Sequence, residues 1–168
     1  MKRIMIALLA AALMLCGSAI ATEPVTMTNP WTKTDSDGVQ EAMGTTLNLP
    51  EDATNIVWLL SKYETLAEIQ FTWDHMQYTA RIRPSEAFED ISGLYYDWEN
   101  VDEDFTIGDC QAWEARADDE DVTIDLCLWY DAAAKQMYSL TTSGPDHLDG
   151  FDIVAVAQQI YLPAGSDA

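Results

Sequence analysis

Basic residues are scarce in this chain: eight lysines and arginines stand against 29 aspartates and glutamates, a formal net charge of −21. A surface so short of cations cannot neutralise phosphates, so nucleic acid is not expected as a partner. Histidine is scarcer still, with His75 and His147 alone, and neither has another ligand type at metal-binding spacing, so no zinc site is expected. The motifs G-x-S-x-G and H-E-x-x-H and a phosphate-cradling glycine loop are missing from the sequence, which removes the commonest nucleophile, metalloprotease and nucleotide chemistries and leaves no cofactor to expect. No apolar run reaches the about 20 residues that a membrane-spanning helix needs.

The longest apolar run, Ile4 to Leu15, follows Lys2-Arg3 and leads to Ala19-Ile20-Ala21. Charged, apolar and small-residue regions in that order predict a secretory signal over residues 1–21, cut between Ala21 and Thr22, with no transmembrane anchor left after cleavage. Cys16 offers an alternative, acylation as a lipoprotein, but Leu15 stands where that processing wants a small residue. The mature protein is therefore expected to be secreted or extracytoplasmic.

An acidic balance alone often means disorder, yet 48% hydrophobic residues, six Trp and seven Tyr supply material for a core. Residues 22–30, with two prolines, read as a flexible leader, 31–163 as a single domain and 164–168 as a disordered tail. Thr34 to Asp37 offer capping oxygens for a short helix that carries Val39, Ala42 and Met43 on one face and stops at Gly44. Ile56 to Lys62 reads as a buried strand. Ala67, Ile69, Phe71 and Trp73 alternate with polar residues, as do Met76, Tyr78, Ala80 and Ile82, and Asp74-His75 fits a two-residue turn between them. That register sets Trp73 against Met76, Phe71 against Tyr78, Ile69 against Ala80 and Ala67 against Ile82, with Glu68 opposite Arg81 on the solvent side.

Residues 84–92 read as a short helix or turn ended by Gly93, and Leu94 to Phe105 as an aromatic, acidic strand or loop. A second hairpin is expected from Ile107–Ala117 and Val122–Asp131, with an acidic tip at 118–121. A turn centred between Asp118 and Asp119 places Cys110 opposite Cys127. In an oxidising compartment that predicts a Cys110–Cys127 disulfide. Gln136 to Thr142 makes a last strand, and Phe151, Ile153, Val154, Val156, Ala157 and Ile160 share the face of a closing amphipathic helix. The expected fold is α+β: a mostly antiparallel sheet of about six strands, with a short N-terminal helix and a C-terminal amphipathic helix packed on it.

Chemistry is left to carboxylates and aromatics. Asp97, Glu99, Asp102, Glu103 and Asp104 offer pairs for general acid–base work beside Tyr95, Tyr96 and Trp98. In a chain with 29 acids such clusters arise from composition, and a solvated face is the plainer reading. Asp35-Ser36-Asp37-Gly38 resembles part of a calcium loop but lacks its remaining ligands, so a helix cap is the simpler account. Trp73 and Trp113 fall in the core by alternation. Of the remaining aromatics, Tyr95, Tyr96, Trp98 and Trp129 are candidates for a surface that stacks on a sugar or grips a peptide, against the plainer reading that they pack beneath helices.

Asn29-Pro30-Trp31 before the Asp35 helix start, Leu49-Pro50, Glu89-Asp90-Ile91-Ser92-Gly93, Trp129-Tyr130-Asp131 and Tyr138-Ser139-Leu140 follow one another in an order that resembles the bacterial family called domain of unknown function 4367. The resemblance covers nearly the whole of the chain after the leader. It implies an extracytoplasmic domain of the kind found in secreted or lipoprotein-like chains and beyond the membrane segment of anti-sigma-factor-like proteins, and it brings no catalytic residues. The chain differs from the tethered members in showing neither anchor nor cytoplasmic zinc-binding half, so direct signalling is not expected. The expected function is non-enzymatic binding or sensing at the bacterial envelope, of an unknown protein, peptide or glycan. The alternatives are a small carboxylate-dependent hydrolase and a glycan-binding module.

Overall fold

The computed structural model describes residues 28–119, 122–144 and 151–163. The signal sequence with its Ala21/Thr22 cut, Cys16, most of the leader, His147 and the tail lie outside them.

The domain is a largely antiparallel sheet with one α-helix near each end of the described chain. β1 (Trp31–Thr34) is followed by α1 (Ser36–Met43), β2 (Thr54–Ser61), β3 (Ala67–Trp73) and β4 (Met76–Pro84). Then come β5 (Glu99–Asp102), β6 (Thr106–Ile107), β7 (Cys110–Asp119), β8 (Val122–Asp131), β9 (Gln136–Gly144) and α2 (Ile153–Ile160). The sheet order is β1-β2-β3-β4-β9-β8-β7-β5, with β6 paired to β7 off that path. Among the described residues nine strands replace the expected six or so. The three additional ones, β1, β5 and β6, have two to four residues each, too few to establish an alternating pattern.

Local signals fix the helix ends. The Asp35 side chain accepts the Gly38 N–H at 2.9 Å, and Gly44 closes α1 at φ 76°, donating to the Gln40 carbonyl. The calcium-like fragment is thus a helix cap. In α2 the Asp152 side chain accepts from Ala155 N at 3.1 Å.

The β3–β4 hairpin has the expected pairs, Trp73 with Met76 through Ala67 with Ile82. Its Asp74-His75 turn has positive φ at both residues, 46° and 64°, matching the right-handed twist of the strands. The β7–β8 hairpin differs. Asp119 pairs with Val122 and Glu114 with Cys127, a ladder shifted by four residues from the expected one. Strand β7 also starts later, because Gly108 at φ 57° turns the chain between Ile107 and Cys110, which pair with each other.

The shift overturns the Cys110–Cys127 disulfide. Both cysteines are buried and unbonded. Four residues along a strand separate their ladder positions by about 13 Å, well beyond the Cα spacing of about 4.4–6.8 Å that a bridge requires. Cys110 lies instead within 3.1 Å of the Tyr161 hydroxyl, which donates to Asp131 Oδ2 at 3.0 Å.

Both faces of the sheet are covered, unequally. On one, α1 and α2 pack through Val39, Met43, Ile153, Val156, Ala157 and Ile160 onto the inward residues of β3, β4, β8 and β9. The Trp129 and Tyr138 rings stack there at 5.1 Å, with Tyr161 edge-on to both. On the other face no helix lies among the described residues. Residues 85–98 cross it as an irregular strap, and Ile91 packs on Leu126, Leu128 and Met137, with Phe88, Trp98, Trp113 and Tyr130 around them. Among the described residues no helix is long and apolar enough to cross a membrane.

Candidate functional site

The strap is pinned by charge. Arg81 and Glu68 face each other across β3 and β4; Arg81 Nε and Nη2 both lie 2.9 Å from Glu68 Oε2, and Nη1 donates to the Ile91 carbonyl at 3.2 Å. Glu68, expected on the solvent side, is only 6% exposed because the strap lies over it. Two side-chain turns then shape the chain: Asp90 accepts from Ser92 N at 2.8 Å, and Ser92 Oγ accepts from Leu94 N at 3.1 Å. Gly93, at φ 71°, sits against the Arg81 guanidinium with no room for a Cβ. A second ion pair, Arg83 to Glu89 at 2.6 Å, ties down the earlier part of the strap, and the Arg83 hydrogen bond holds the Glu89 carboxyl below its ordinary pKa.

This anchoring delivers the aromatic segment. Tyr96 meets Trp98 at 5.7 Å and Trp98 meets Trp113 edge-on at 6.2 Å, so Trp98 is packed and Tyr96 stands at the strap's margin. Beside Tyr96 a groove of about 320 Å³ opens on the uncovered part of the face, with Leu94, Val122 and Ile124 as apolar wall and Gln77, Thr79 and Thr141 as polar floor. A smaller hollow of about 200 Å³ continues from Gln77 and Thr79 towards Gln70, Thr72 and Asn55. Among the described residues, none that lines either hollow is charged.

The four expected surface aromatics therefore divide. Tyr95 is 94% exposed and borders a shallow depression with Asp90 and Asp97. Tyr96 lines the groove, and Trp98 supports it. Trp129 is fully buried on the helical face of the sheet and belongs to no surface; in β8 it alternates with Leu128 and Tyr130, and the helices cover its side. The floor residues Gln77, Thr79 and Thr141 were not singled out by sequence, where they read only as the polar phase of alternating strands.

Asp97, Glu99, Asp102, Glu103 and Asp104 are all exposed, and no two of them line the same hollow among the described residues. A separate cleft of about 400 Å³ lies between β5, β7, β8 and the start of α2, where Asp102, Glu114, Asp125 and Asp152 gather around Arg116. Arg116 Nε donates to Asp125 Oδ1 at 2.7 Å. Burial, followed by the charges of Asp152, Asp102 and Asp125, pushes the Glu114 carboxyl upward. Among the described residues no set of three or more His, Cys, Asp or Glu side chains is arranged to hold a metal.

Fold and groove define an α+β protein whose sheet is sealed by helices on one side and half-strapped on the other. No family model, no curated protein and no solved structure matches this chain.

Proposed function

We propose that this chain is an exported, non-enzymatic binding domain of the bacterial envelope or exterior, and that its ligand occupies the groove beside Tyr96. One observation carries the reading: a charged anchor, Arg81–Glu68, holds a helix-free strap so that an aromatic ring borders an open hollow with no charged group among its described lining residues. Such a hollow, with an apolar wall and a few polar groups, suits recognition better than acid–base chemistry. The signal-like N-terminus and the resemblance to an extracytoplasmic family belong to the same proposal, and the acidic charge supports leaving nucleic acid out of it.

The test is a thermal-shift and calorimetric survey of the purified protein against soluble peptides, glycans and small metabolites. A saturable ligand whose binding is lost in Tyr96→Ala is expected; silence across all three classes counts against the reading. Intact mass of the protein recovered from its own cell tests the export half, where loss of residues 1–21 is expected.

The hydrolase reading keeps one supporting observation, the raised Glu114 carboxyl in the acidic cleft. Hydrolysis of any ester, amide or glycoside substrate that disappears in Glu114→Gln would favour it.

A further inference from the structure

We propose that the groove on the strapped face binds a neutral oligosaccharide, laid across the strands from Tyr96 to Asn55. The inference rests on the binding reading above and names the chemical class of the ligand.

The composition of the groove is the argument. The chain carries 22% charged residues, yet the described residues that line the two hollows meeting at Gln77 and Thr79 offer amides, hydroxyls, aliphatic groups and aromatics, and no charge. An anionic ligand would find no cation there and would meet the field of a chain of net charge −21. A cationic ligand is better served by the acidic cleft at the start of α2. A purely apolar ligand would leave the hydroxyls and carboxamides of the floor without partners.

What remains is a neutral molecule rich in groups that both donate and accept. Carboxamides and hydroxyls offer both functions at once. The Thr141 hydroxyl donates to the Thr79 carbonyl at 3.1 Å and Asn55 Nδ2 to Thr72 Oγ1 at 3.3 Å, which orients their lone pairs, while the exposed Gln77 side chain donates to no described residue. Tyr96, half-buried and braced by Trp98, provides the flat apolar face on which the C–H side of a pyranose ring packs. The polar floor crosses β9, β4, β3 and β2, and with β8 as the far wall the groove spans four inter-strand steps, roughly 19 Å at the usual spacing. That is the reach of a short oligomer rather than of one ring.

The probes are the hexaoses of cellulose, chitin, xylan, maltose and laminarin, with an oligogalacturonate and a random soluble hexapeptide mixture as charged and peptide arms, titrated by calorimetry and by tryptophan fluorescence. At least one neutral hexaose is expected to bind saturably and to perturb Trp98 emission. Tyr96→Ala should weaken it by roughly five- to tenfold, the range for losing an aromatic stacking contact. Gln77→Arg, at an exposed position, should weaken it by at least about tenfold by filling the floor with a charged side chain. Tyr63→Ala, an exposed aromatic outside the groove, should leave it unchanged. Binding of a neutral hexaose that neither groove variant affects would overturn the site. Binding of only the oligogalacturonate or the peptides, sensitive to Gln77→Arg, would overturn the ligand class and leave the binding domain standing. Binding of no probe would overturn both.

Discussion

Arg81 places two guanidinium nitrogens 2.9 Å from one carboxylate oxygen of Glu68 and spends the third on the carbonyl of Ile91. The pair joins β3, β4 and the strap in one contact, and Glu68 is almost wholly removed from water. Removing one partner therefore strands a buried charge. Arg81→Met should cost about 3–5 kcal/mol by chemical denaturation, and Arg81→Met with Glu68→Met should recover most of that loss. Equal destabilisation of the single and double variants would show that the pair does not hold the strap.

Gly93 carries the same anchor from the backbone side. At φ 71° and pressed on the Arg81 guanidinium, it has neither the conformation nor the space for a side chain. Gly93→Ala should destabilise by about 1–3 kcal/mol and shift Trp98 emission, because the aromatic segment begins one residue later. Gly44→Ala, at a positive φ with open space around it, separates the two effects: it should destabilise less and leave Trp98 emission alone.

The two buried cysteines are unbonded, and burial pushes both thiols above their ordinary pKa. Thiolate, the reactive form, is thereby suppressed at neutral pH. Alkylation at pH 8 should leave Cys110 and Cys127 unmodified in the folded protein. In unreduced protein unfolded in guanidinium it should modify both, read by intact mass; a mass lower by two hydrogens with no alkylation would restore the bridge.

Glu114 is raised by burial and by the acids around it. Its folded-state pKa lies above the unfolded one, so its contribution is favourable below about pH 4.3 and is lost as the pH rises through the folded value. Glu114→Gln should accordingly raise the melting temperature at pH 7 and make little difference at pH 3.5. A lower melting temperature at pH 7 would mean that the charged form makes a favourable contact.

How much of this was legible depends on where alternation stops being informative. The β3–β4 hairpin could be read to the last pair because a two-residue turn and a two-residue period together admit one register. In β8 the alternation of Leu126, Leu128 and Tyr130 sets them on one face, the one the strap covers. A shift of four residues preserves every face, however, and the acidic tip carries no residue that demands a particular turn. Alternation therefore carries the faces of this hairpin but not its register, and with the register goes the disulfide. Strand β8 did hold an unused clue: Cys127 and Trp129 interleave with Leu126 and Leu128, the mark of a strand buried on both sides. That would have shown that the second face needed a cover and that Glu68 could not be wet. The strap itself has no period, and the groove floor joins β4 to β9, where Thr79 and Thr141 meet across a sequence separation of 62, so Gln77 and Thr141 come together only through the pairing of those two strands.

The last of the described strands, β9, sits in the middle of the sheet, between β4 and β8. Until residues 136–144 dock, strands β1 to β4 leave the β4 edge of the sheet without its partner. Folding of this protein is thus a late, long-range event, slower than a helical domain of equal size, and a chain cut short before β9 would expose that edge to other chains.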